Sequence, residues 1–163
     1  MVDTFRRKEV KQEDGKTGRF LDFSETVIGA CIEVHRHLGP GLLESAYEQC
    51  LSHELSLRKL KFVRQLMLPV NYKGIHLDCG YRLDLIVENS LLLELKAVER
   101  LLPVHQAQLL TYLKLTGLKV GLLINFNVVT LKDGLRRLSR KEPLSVFPPS
   151  CLTFNNNNFT DKT

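Results

Sequence analysis

Apolar residues recur along the chain in two rhythms, and the change from one to the other divides it. From Ser24 onward Val27, Cys31, Val34 and Leu38 return every three or four positions. That is the period of a helix with one buried face, and Ser24 is its expected N-cap. Gly39-Pro40-Gly41 stops the helix, because Pro40 cannot continue it and the glycines permit the positive φ of a C-terminal cap. A second helix follows at once and runs to about Arg58, with Leu43, Tyr47, Cys50, Leu51 and Leu55 expected on one side. From Phe62 to Tyr72 the pattern is that of a strand, and Pro69 predicts an edge or a bulge there. Lys73-Gly74 reads as a turn, followed by a short strand through Ile75 and Leu77. Residues 81–87 and 91–97 are apolar strands on either side of Glu88-Asn89-Ser90. Residues 104–116 give a helix closed by Gly117, Val120 to Asn125 a buried strand, and Leu131 to Leu138 a short final helix. The predicted core order is α, α, β, β, β, α, β.

The ends read differently. Residues 1–22 are polar and mixed in charge, and are expected to form a flexible leader. Residues 139–163, with Pro148-Pro149 and the run Asn155 to Asn158, are expected to form a low-complexity, disordered tail. One domain over 23–138 remains. A chain of 163 residues that is 44% hydrophobic and 25% charged has the proportions of a globular protein, not of a disordered chain, a collagen or a repeat array.

Composition excludes several function classes. The apolar stretches fall far short of the roughly 18 residues a bilayer span needs, so no membrane role is expected. Met1 to Lys8 lacks the apolar segment of a secretory signal. Cys31, Cys50, Cys79 and Cys151 include no Cys-x-x-Cys pair and read as buried free thiols of a cytoplasmic protein. His35 and His37, two apart on a helix, point away from each other, so a zinc site is not expected. No Gly-x-x-x-x-Gly-Lys phosphate loop is present, which argues against an ATP-driven phosphohydrolase.

The net charge of +5 invites the idea of a polyanionic partner, yet residues 23–129 hold eleven basic against ten acidic side chains. Most of the surplus lies after residue 130, around Lys132, Arg136, Arg137, Arg140 and Lys141, where a solvated helix end and a phosphate-contacting patch are equally good readings.

The central strands carry a sharper feature. Alternation puts Tyr81, Leu83, Leu85 and Val87 on one face and Arg82, Asp84 and Ile86 on the other. In the next strand Leu92, Glu94 and Lys96 share a face opposite Leu91, Leu93, Leu95 and Ala97. A three-residue loop at Glu88-Asn89-Ser90 pairs Val87 with Leu91 and brings Asp84 opposite Glu94. A two-residue loop would oppose Asp84 to Leu95 instead. The longer loop keeps both apolar faces in phase and is preferred. Like charges so placed repel. Either that face is wetted, with Lys96 bridging two acids, or a divalent cation relieves the repulsion, as Mg²⁺ does with one or two carboxylates, water and phosphate. In the second case Lys96 could orient or help deprotonate an attacking water, or stabilise charge on a scissile phosphate. Two further groups stand in order around these strands. Glu44 lies in the first turn of the second helix with Tyr47 at i+3, and Gln108 and Tyr112 share a face of the later helix.

The ordered set Gly41-Leu42-Leu43-Glu44-Ser45-Ala46-Tyr47, Gly80-Tyr81-Arg82-Leu83-Asp84, Glu94-Leu95-Lys96 and Gln108-Leu109-Leu110-Thr111-Tyr112 resembles the GxxExxY family of the PD-(D/E)XK nuclease superfamily. The stretch Gly121 to Asn127 resembles it too, and the likeness covers about residues 23–138. It implies an α/β restriction-endonuclease-like core, α-β-β-β-α-β, with a mixed central sheet flanked by helices. By position it implies Asp84 and Glu94 as metal ligands, Lys96 as the catalytic lysine, and Glu44 completing the site through metal or water. Gln108 and Tyr112, with Tyr47, would position the substrate. The implied cofactor is Mg²⁺, with Mn²⁺ able to substitute, and the implied partner is nucleic acid, DNA before RNA. The alternative function is a non-catalytic module that binds nucleic acid or protein on the same fold.

Overall fold

The structure, a computed structural model, describes residues 22–140, less the side chains of 78–80. The leader expected over 1–22 and the tail expected over 139–163 therefore lie outside the described residues, apart from Asp22, Ser139 and Arg140. So do Cys151 and Lys141. Two helices come first, α1 (Ser24–Leu38) and α2 (Glu44–Leu57). The strands β1 (Phe62–Tyr72), β2 (Ile75–Val87) and β3 (Leu91–Lys96) follow, then α3 (Pro103–Thr116), β4 (Val120–Asn125), the single turn α4 (Leu131–Gly134) and β5 (Leu135–Ser139). Among the described residues no helix is long and apolar enough to cross a membrane.

The five strands form one sheet in the order β1-β2-β3-β4-β5. β3 and β4 run parallel and every other neighbouring pair is antiparallel. A parallel pair needs a crossover, and α3 is that crossover. Every residue of β3 except Lys96, and all of β4, is buried, which is why these strands read as unbroken apolar runs. On one side of the sheet Val27, Cys31 and Val34 of α1 and Tyr47, Leu51 and Leu55 of α2 pack against Leu85, Leu93 and Leu122. On the other, Leu109, Tyr112 and Leu113 of α3 pack against Ile86, Leu92 and Leu123. Gly121 lets α3 come this close: a Cβ there would lie 2.8 Å from a methyl of Leu109.

Several expectations are corrected by packing. Phe23, not Ser24, is the N-cap of α1, and from the residue before it Asp22 Oδ1 accepts the Ser24 amide at 3.0 Å. Leu43 is the residue before α2 and stands 77% exposed, and Cys50 is exposed as well, whereas Glu48 and Ser52 are buried. The buried stripe runs 47, 48, 51, 52, 55, and Cys50 falls outside it by the helix's own rotation. Leu38 is likewise exposed at the end of α1. The two strand pieces expected over 75–77 and 81–87 are one strand of 13 residues, paired to β1 from Tyr72↔Ile75 onward. Pro69 does mark an irregularity, a shift of register between Leu68 and Val70 on an edge strand.

The helix expected over 131–138 is one turn and then a strand. Leu135 packs on the α1–α2 side and Leu138 on the α3 side. Residues three apart share a helix face but take opposite faces of a strand, and the free edge of β4 selects the strand.

Candidate active site

The site forms where β2 parts from β3. The hairpin loop has three residues, with Val87 paired to Leu91, Ile86 to Leu92 and Leu85 to Leu93. The next pair, Asp84 with Glu94, is not made through the backbone. Instead Asp84 Oδ2 accepts the Leu95 amide at 2.8 Å, so a side chain takes over from the ladder. Beyond this point β2 stays with β1 alone, through Leu66↔Leu83, Met67↔Arg82 and Leu68↔Tyr81.

The expected alternation fails at the same place. Leu83 was expected to share a face with Leu85 and Val87, yet it packs on the α3 side with Ile86 while Leu85 and Val87 pack on the α1–α2 side. Residues two apart on a regular strand cannot do this. Across the ribbon, Gln65 carries φ 53°, a left-handed conformation in mid-strand, between the pairs Arg64↔Leu85 and Leu66↔Leu83. The β1–β2 ribbon therefore turns over at Gln65 and Asp84, and the sheet opens beside the carboxylates.

Glu94 is 2% exposed, although it is an acid on a central strand. Its Oε1 accepts Lys96 Nζ at 2.5 Å. Its Oε2 is buried and, among the described residues, has no hydrogen-bond partner. An orphaned carboxylate oxygen is costly in a dry interior unless something else satisfies it. Burial, with the neighbouring Asp84 charge behind it, pushes the Glu94 carboxyl up to about 7. Burial likewise pushes Asp84 up to about 6, against the Leu95 amide and Lys96, which pull it down. For Lys96 burial alone would lower the pKa, but the bond and charge of Glu94 outweigh it and hold the ammonium above its ordinary value. A group that demands electrons from both carboxyls, a divalent cation, fits this donor set.

Glu44 is the first residue of α2, half-buried, and its charge reaches Asp84, Glu94 and Lys96. Among the described residues no three acidic, His or Cys groups gather closely enough to cage a metal by themselves. On α3, Gln108 Nε2 donates to the Tyr112 hydroxyl at 2.8 Å. The Tyr112 phenol is raised by burial, against the Gln108 bond that lowers it, and it feels Glu94, Lys96 and Asp84, so α3 presents this pair to the same site. Tyr81 meets Tyr112 edge to face, with ring centroids 6.3 Å apart.

Tyr47 does something other than expected. It is wholly buried and stacked on Phe126 with centroids 4.5 Å apart. Its hydroxyl donates to the Gly39 carbonyl at 2.6 Å and accepts the Leu42 amide at 3.1 Å. With both roles filled it has no face for a substrate, and it fixes the turn that delivers Glu44.

Sequence reasoning passed over two groups. Asn125, buried and beside Lys96 in the β3–β4 register, accepts the Val98 and Asn127 amides and donates to the Val98 carbonyl, tying the chain that leaves β3. Glu48, 6% exposed, pairs through Oε1 with Arg64 Nε at 2.9 Å and through Oε2 with Gln65 Nε2. An acid inside the stripe of Tyr47, Leu51 and Leu55 is the mark that could have revealed it.

A family model of the PD-(D/E)XK nuclease superfamily matches residues 21–138. No curated protein and no solved structure matches the chain.

Proposed function

Because the chain belongs to the PD-(D/E)XK nuclease superfamily, we propose that it is a divalent-metal-dependent nuclease of the GxxExxY branch that hydrolyses phosphodiester bonds of DNA. The observation that carries this reading is the buried, unpartnered Oε2 of Glu94 beside a second carboxyl, Asp84, that burial has also pushed up. Asp84 and Glu94 would hold Mg²⁺, or Mn²⁺ in its place, with Glu44 completing the set through water. When bound, such an ion lowers the pKa of its water and offsets charge on the phosphate.

The chain's own residues divide the remaining work. The Leu95 amide fixes one oxygen of Asp84 and leaves the other side of that carboxylate to the site. Lys96, anchored on Glu94 Oε1 and half-buried, keeps its proton and places a cation where negative charge grows on the scissile phosphate. Glu44, at the N-terminus of α2, can hold a water by hydrogen bond. Gln108 and Tyr112, already bonded to each other, supply polar groups from α3 to orient the substrate backbone.

The test is cleavage of single- and double-stranded DNA with and without Mg²⁺ or Mn²⁺, using Glu94→Ala and Lys96→Ala as controls. Metal-dependent cleavage that Glu94→Ala abolishes and Lys96→Ala strongly reduces is expected. Equal cleavage by all three proteins would overturn the assignment. Nucleic-acid or protein binding without cleavage under any metal would transfer the fold to the non-catalytic reading.

A further inference from the structure

Gln65 is strained where a regular strand would do. Its φ of 53° lies in the left-handed region that costs a non-glycine residue on the order of 1–3 kcal/mol, and such a conformation persists only where neighbours impose it. The neighbour that reaches it is Glu48. Glu48, buried on α2, accepts from the Gln65 side chain with one oxygen and from Arg64 with the other, holding two consecutive residues of β1 at once. Opposite Gln65 stands Asp84, the residue at which β2 turns over and releases β3. Glu48 also lies near enough for its charge to act on Asp84.

Each Glu48 oxygen already accepts from a β1 side chain, which turns the carboxylate toward Arg64 and Gln65, although it sits one helical turn from Glu44 on the same face of α2. We propose that Glu48 is a positioning residue of the site: by gripping Arg64 and Gln65 it holds the turned-over backbone that aims the Asp84 carboxylate at the metal position. The inference rests on the reading of Asp84 as a metal ligand. Partners of this kind, one step removed from a metal, typically contribute 10–100-fold in affinity or activity.

The isosteric substitution Glu48→Gln is the first variant, since it keeps volume but leaves one acceptor oxygen for the two donors of Arg64 and Gln65. Titration of the full chain with Mn²⁺ by calorimetry should show Kd raised about tenfold, which is about 1.4 kcal/mol. Glycine adopts positive φ without strain, so adding Gln65→Gly should restore most of the affinity if the grip acts through that backbone. The same pair made with Glu48→Ala, checked for folding by circular dichroism, repeats the test with neither acceptor. Unchanged Mn²⁺ affinity in a folded Glu48→Gln or Glu48→Ala protein overturns the proposal. A loss that Gln65→Gly fails to restore overturns the route through Gln65. Asp84→Ala distinguishes the premise: if it binds Mn²⁺ as tightly as the unaltered chain, the site reading fails and this inference with it. If Asp84→Ala loses the ion while Glu48→Gln keeps it, only the role of Glu48 fails.

Discussion

The two ends of the β2–β3 pair are built from the same strands and behave as opposites. At the loop end Leu85, Ile86 and Val87 pair in register with Leu93, Leu92 and Leu91, all buried, with apolar clusters on both faces. One step along, Asp84 and Glu94 should continue the ladder, and it stops. The apolar end gains from every contact with its neighbours and tolerates no gap. The charged end gathers two carboxyls that burial disfavours as anions, opens the sheet beside them, and leaves one oxygen unsatisfied. Within a single strand pair, the stabilising apolar contacts and the proposed site occupy adjacent residues. The charged end costs folding energy that the leucines beside it must offset.

That comparison can be broken most directly by removing the charges. Asp84→Ala and Glu94→Ala are expected to reduce metal-dependent cleavage to background, and Lys96→Ala to lower kcat by on the order of 10²–10³, measured under single turnover. Chemical denaturation should show the reverse order of effects. Leu93→Ala, in the apolar half, is expected to cost about 2–5 kcal/mol, while Glu94→Gln, which removes a carboxyl that burial already disfavours as an anion, is expected to cost less in the metal-free protein. If Glu94→Gln proved as damaging as Leu93→Ala, the two ends would not differ in the way described.

The pH dependence sharpens the contrast further. Asp84 and Glu94 are raised in the folded chain, so the native state holds protons that the unfolded chain releases at lower pH. The stability this contributes is present below the ordinary carboxyl values and is lost as pH rises toward about 7. The thermal midpoint of the metal-free protein should therefore fall between pH 5 and pH 8 relative to Glu94→Gln, and Mg²⁺ should reverse the fall. Over the same window metal affinity should rise, because the ion competes with those protons. The smallest effect is expected at the helix that faces the site. Tyr112→Phe removes one hydrogen bond with Gln108, worth about 1 kcal/mol, and should raise KM a few-fold with little change in kcat.

Much of this arrangement was legible in the chain. Alternation within 85–87 and 91–96 and the three-residue loop were enough to set Val87 against Leu91 and to bring Asp84 toward Glu94, because strand period and loop length are local properties. The order of helices and strands through β4 followed from hydrophobic spacing for the same reason. The failures share a cause. Leu135 and Leu138 fit a helix or a strand equally well, and only the open edge of β4 chose. Tyr47 reads as a site residue by its spacing from Glu44, and only its stacking on Phe126 and its bonds to Gly39 and Leu42 show that it works on the turn before Glu44.

The sequence by itself determined which charges lie on the central strands and roughly which level of the sheet they share. Period and loop length act within a few residues of each other and leave little choice there. Tertiary structure alone decided that β2 turns over at Asp84, that Gln65 is held in a left-handed conformation across from it, and that Glu48 reaches from α2 to hold it. These depend on helices and strands meeting across the sheet. Burial and repulsion, which raise Asp84 and Glu94 and isolate one oxygen of Glu94, exist only once that meeting has excluded water.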